Sequence, residues 1–159
     1  MKKTLAVLLM VVMSLALMTG CSDPVYDDFE NYLNIQMVDV NDNYVKITEE
    51  AANWENYEED AEFVSSINDI MLPLVDDSLA KLDKINPQTD EVKDLKVKYV
   101  KVMDAYKAGF EEVAEGFASE DADMIEAGNE KINEAIEFLD EYNAALEALA
   151  EQVGAEIEY

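Results

Sequence analysis

The chain has 159 residues, of which 37 are acidic and 11 are lysine, with no arginine or histidine and a formal charge of −26. So negative a surface excludes nucleic acid as a partner, because that binding depends on basic groups that neutralise phosphates. Half of the residues are apolar, enough to build a packed core in about one domain.

Lys2 and Lys3 are the only charges in the first twenty residues, and an apolar run, LAVLLMVVMSLALM, follows over 5–18. As a helix that run would span about 21 Å, short of a hydrocarbon core of about 30 Å. A basic start, a short apolar middle and small residues before a break describe a secretory signal peptide over 1–20. The break reads MTGC, residues 18–21. It resembles the lipobox of bacterial lipoproteins, in which the cysteine sulfur takes a diacylglycerol and the signal peptide is cut just before it. Gly20 and Thr19 fill the small positions, and Met18 stands where the family most often has leucine. The resemblance covers the first 21 residues and implies that Cys21 is the lipidated residue. It also implies an envelope protein, anchored to the outer face of the cytoplasmic membrane or on the periplasmic side where an outer membrane exists. Cys21 is the single cysteine, so no disulfide forms.

Residues 21–159 carry nine lysines against 37 acids, a formal charge of −28. That charge repels anionic head groups, so fatty chains rather than electrostatics must hold the protein to a membrane. Residues 21–23 form a very short tether, and apolar spacings of three and four then run throughout 24–159, the mark of amphipathic helices. Four are predicted, at about 24–54, 58–86, 89–118 and 119–153. The first carries Tyr26, Phe29, Leu33, Met37, Val40, Tyr44, Ile47, Ala51 and Trp54, with Asp23 as N-cap and Pro24 at the first helical position. The second carries Val64, Ile67, Met71, Leu74, Val75, Leu79, Leu82 and Ile85 and stops before Pro87. Pro73 inside it either kinks the helix or breaks it. Thr89 is expected to cap the third helix and Ser119 the fourth, and Gly154 supplies the final stop. One-sided stripes and short connections predict an all-α fold, an antiparallel up-down four-helix bundle after a cleaved signal peptide.

In that topology the start of the first helix, the 2–3 turn and the carboxy terminus lie near the membrane, with the other two turns far from it. Residues 76–101 hold six lysines against six acids, whereas 49–62 and 111–126 hold seven acids each and no lysine. The two acidic stretches are expected to share an outer tip, including Glu55, Glu58, Glu59, Asp60, Glu120, Asp121 and Asp123. The tip reads as a solvated face, or as a docking surface for a basic protein partner or a weak divalent cation. Trp54 and Tyr57 beside it either anchor a partner or cap the core. Gly109, Gly116 and Gly128 fall on core stripes, where glycine costs about 1 kcal/mol against alanine. They mark close helix approach, or a small pocket bounded by Tyr44, Tyr106, Gly109 and Gly128.

Catalytic motifs are missing. The stretch DVNDNYVKITEE, 39–50, has Tyr44 where a calcium loop needs glycine, and its apolar stripe runs through unbroken. Without histidine there is no ferritin-like metal set and no Cys-x-x-Cys-His haem site. The carboxylates fall on wet helix faces rather than across a cleft. The expectation is a non-enzymatic, cofactor-free interaction or scaffold module with an acidic distal tip. The alternative is a helical bundle that binds a small molecule or a divalent cation.

Overall fold

The computed structural model describes residues 23–157, and all regular structure among them is helical. In chain order the elements are α1 (Pro24–Asn31), a π-helical stretch (Tyr32–Gln36), α2 (Val38–Asn53), a 3-10 turn (Trp54–Asn56), α3 (Asp60–Ser65), a second π-helical stretch (Ser66–Met71), α4 (Leu72–Lys84), α5 (Asp90–Ser119) and α6 (Ala122–Val153). The all-α expectation holds, but the first two predicted helices are each interrupted.

Local chemistry accounts for the ends. The Asp23 carboxylate accepts the Val25 N–H at 2.9 Å, and Pro24 takes the first helical position. Thr89 is the N-cap of α5, yet its hydroxyl is turned away, donating to the Asp28 carboxylate at 2.7 Å. Ser119 does not cap the last helix. It is the final residue of α5, its hydroxyl donating to the Glu115 carbonyl at 2.8 Å. Glu120 follows in a left-handed conformation, φ 56°, and Asp121 caps α6 by accepting the N–H groups of Asp123 and Met124. A carboxylate satisfies two orphan donors at once and meets the positive helix end, whereas a serine hydroxyl readily folds back on its own helix. Gly154, at φ 72°, ends α6.

Both π stretches widen the helix by one residue. In the first, the Met37 N–H reaches the Tyr32 carbonyl five residues back. This turns both Tyr32 and Leu33 inward. In the second, the Leu72 N–H reaches Ile67 in the same way. Pro73 has no N–H to give to the carbonyl four residues before it, and the π turn absorbs that defect, so the chain stays helical into α4.

The core is one cluster that runs through every long element, from Phe29, Tyr32 and Met37 through Ile67, Val75 and Leu82 to Tyr99, Met103, Ala135 and Leu146. The most extensive pairing is α5 with α6; α2 packs on α4, and α4 and α1 on α5. Buried polar side chains pin the earlier helices. The Asp28 carboxylate accepts from the Gln88 N–H at 2.8 Å and from the Thr89 N–H at 2.7 Å, tying α1 to the turn that opens α5. The Asn43 amide donates to Asp77 at 2.7 Å and to Ser78 at 3.3 Å, fixing the register of α2 against α4.

Candidate functional site

Aromatic rings in and beside the two acidic stretches pack together. Phe63 of α3 stacks on Phe117 of α5 with centroids 6.1 Å apart. Trp54 meets Phe63 and Phe110 edge-on at 5.8 and 6.5 Å, and Tyr57 meets Phe63 at 5.4 Å. Offset and edge contacts of this kind are each worth about 0.5–1.5 kcal/mol beyond the area they bury. The rings therefore brace the loop from 54 to 60 against the end of α5, and Trp54 and Tyr57 are half-buried within the brace. The sequence pattern alone does not single out Phe63, Phe110 or Phe117. Their signal was the i, i+7 spacing of Phe110 and Phe117, each directly after a glycine on α5.

Glu55, Glu58, Glu59, Asp60, Glu120, Asp121 and Asp123 are all exposed around this brace. Two of them have work within the fold. Asp121 caps α6, and Glu59 forms a reciprocal capping box with Glu62. The Glu62 carboxylate accepts the backbone N–H groups of Glu59 and Glu58, which holds it below the usual carboxylate range. Among the described residues no group of three or more acids converges into a set that could hold a metal ion.

Glu50 is a structural hub next to the aromatic brace. Its Oε1 accepts the Ser66 hydroxyl at 2.6 Å and the Tyr57 hydroxyl at 2.5 Å, and Ser66 accepts the Trp54 indole N–H at 2.9 Å. The Ser66 and Tyr57 hydrogen bonds lower the Glu50 pKa, and the bond to Glu50 raises that of Tyr57. Next to this hub lies an open groove of about 460 Å³ between α2 and α4, lined by Lys46, Glu49, Glu50, Asn53, Asp69, Ile70, Pro73 and Leu74.

The glycines leave no hollow. A Cβ added at Gly109 would lie 2.7 Å from Ile132 Cγ1 and 3.0 Å from the Gly128 carbonyl oxygen. One at Gly128 would lie 2.7 Å from Val113 Cγ2 and 2.9 Å from the Gly109 carbonyl oxygen. Close approach of α5 and α6 explains both residues, and the space assigned to a pocket there is filled by the opposing helix. Tyr44 and Tyr106 do come together, their hydroxyl oxygens 3.4 Å apart in the core, and burial pushes both phenols up.

Cys21 and the leader 1–20 lie outside the described residues, as does most of the 21–23 tether. Among the described residues no helix is long and apolar enough to cross a membrane. The sequence model of a family described as "Uncharacterised lipoprotein PM1805" matches residues 27–154. No curated protein and no solved structure matches the chain.

Proposed function

The chain belongs to the family of uncharacterised lipoproteins described as PM1805, a membrane-associated protein of the cell envelope, and we propose that it is a non-catalytic docking module that presents an acidic tip to a basic protein partner. In this reading Cys21 carries the lipid after removal of residues 1–20, on the outer face of the cytoplasmic membrane or the periplasmic side. The helices act as four antiparallel rods: α1 with α2, α3 with α4, α5, and α6. The tether puts roughly 7 Å of chain between the lipid and α1, so the tip projects away from the bilayer.

The observation that supports the reading is the Phe63–Phe117 stack, which sets α3, just after one acidic connection, against the end of α5, where the other begins. A rigid patch of one sign steers an oppositely charged partner and speeds its encounter. Crosslinking in intact cells tests it. Proteins crosslinked to the wild type are expected to disappear when Glu55, Glu58, Glu120 and Asp123 become glutamine or asparagine; an unchanged set sinks the docking role. Intact-mass analysis of the natively expressed protein tests the anchor. A mass lacking residues 1–20 and carrying a diacylglycerol on Cys21 is expected, and an unmodified thiol with the leader attached rules it out.

A further inference from the structure

Four observations converge on the groove between α2 and α4. First, it is amphipathic rather than merely acidic. Ile70 is 40% exposed on its wall, beside Pro73 and Leu74. The second π stretch, which includes Ile70, packs against α2. Second, its charge is uneven: three carboxylates, Glu49, Glu50 and Asp69, face one ammonium, Lys46. Third, the charges are ordered along the groove. Glu50 pairs with Ser66, and Asn43 with Asp77 and Ser78. In that antiparallel register the carboxylates of Glu50 and Asp69 lie toward the tip, and Lys46 lies lower, level with Pro73 and Leu74. Fourth, Glu50 is fixed before any partner arrives, since Ser66 and Tyr57 both donate to its Oε1.

The geometry points to a seat for one lysine or arginine side chain from an extended basic segment of a partner protein. This deepens the docking reading and rests on it. The aliphatic stem lies along Pro73, Leu74 and Ile70, and the charged head reaches Glu50, Glu49 and Asp69. Long basic side chains cover apolar surface in this way while keeping the head in polar company. Lys46 repels a second cation at the lower end, which gives the segment a direction. Acids alone would hold any cation by diffuse attraction, whereas a stem-length apolar wall below fixed carboxylates selects a cation on a hydrocarbon arm.

The test uses the chain from Ser22 onward and two labelled synthetic peptides of equal charge, one of lysine and leucine, the other of lysine and serine. Fluorescence anisotropy at physiological salt reads affinity, and the fluorescence of Trp54, the single tryptophan, reports on the neighbouring hub. The lysine–leucine peptide is expected to bind more tightly. Glu49→Gln with Asp69→Asn should weaken it about tenfold or more, as loss of charge-assisted contacts does. Ile70→Ser should abolish the preference for the leucine peptide. A charge-matched pair at the tip, Glu120→Gln with Asp123→Asn, should weaken both peptides equally and less. Melting curves confirm that each variant is folded. Equal weakening by the groove and tip pairs overturns the groove and leaves the acidic tip standing. Failure of the wild type to bind either peptide overturns both readings. Spermidine that competes as well as the peptide, mole for mole, overturns a peptide-specific seat.

Discussion

The α5–α6 hairpin and the α1–α4 half solve the same packing problem by different means. The two helices of the hairpin run 30 and 32 residues without a break, and backbones approach at Gly109, Gly116 and Gly128. In the other half, two π stretches and a 3-10 turn interrupt the helices, the second π stretch just before Pro73. All four buried polar side chains among the described residues, Asp28, Asn43, Ser66 and Ser78, are found there. A long regular interface gains its stability from many small dispersion contacts that share one geometry. An interrupted one needs directional hydrogen bonds to choose its register, since its apolar faces alone admit several. The irregular half also bears the groove and the loop that the aromatic rings brace against α5.

The largest expected effect breaks the irregular half at its start. Asp28 accepts three donors on one oxygen and is only 7% exposed. Asp28→Ala strands the N–H groups of Gln88 and Thr89 and should cost about 3 kcal/mol by chemical denaturation. Asp28→Asn keeps an oxygen in place and should recover part of that loss. If Asp28→Ala costs less than about 0.5 kcal/mol, the size of an ordinary surface change, α1 is not pinned by this carboxylate. Next in size is the hairpin. At Gly128 an added methyl meets the Val113 nitrogen at 2.8 Å and the Gly109 carbonyl oxygen at 2.9 Å. Backbone atoms cannot swing aside as a side-chain end can, so the helices must part. Overpacking of about 1–3 kcal/mol set against the gain of about 1 kcal/mol in helix propensity makes Gly128→Ala destabilising by up to about 2 kcal/mol. A more stable Gly128→Ala would show that the hairpin breathes enough to accept a side chain.

What was legible in the sequence follows the same division. The hairpin obeys one period: its ends lie within a few residues of the predicted 89–118 and 119–153, and its buried positions from Val92 to Tyr106 and from Ala135 to Leu149 recur at spacings of three and four. The glycines stand out in the sequence, but a single chain does not reveal what faces a missing side chain, so both close approach and a pocket fit it. In the other half, periodicity failed where a π turn inserts a residue. Tyr32 falls outside the predicted stripe although it is fully buried. Asp28 lies three residues after Val25 and four before Tyr32, and Ser78 sits between Val75 and Leu82 at spacings of three and four. A polar residue on an apolar stripe was the available signal for a pin. Its partners, 60 residues away for Asp28, depend on tertiary contacts that no local pattern encodes. The acidic stretches are plain in composition, whereas two of the rings that brace them, Phe110 and Phe117, directly follow glycines and escape a stripe-based reading.

Two smaller effects sharpen the contrast. Asn43 is 5% exposed, and its amide is the buried link between α2 and α4. Asn43→Ala should cost about 1–2 kcal/mol; a loss indistinguishable from zero would leave the register of this half to apolar packing alone. Glu50→Gln should cost less, about 1 kcal/mol at neutral pH, because the amide oxygen still accepts but carries no charge. Its pH dependence is the stricter measurement. The hydroxyls of Ser66 and Tyr57 lower the Glu50 pKa below its ordinary value of 4.5. A carboxyl group with a depressed pKa stabilises the fold fully above its unfolded value, and that stability is lost as pH falls through the folded value. The difference in melting temperature between wild type and Glu50→Gln should therefore be constant from pH 7 to about pH 5.5 and shrink as pH falls below 4.5. A difference that stayed constant through the acid range would mean that Glu50 holds Tyr57 and Ser66 by shape rather than by charge, and the brace would then owe its order to the rings.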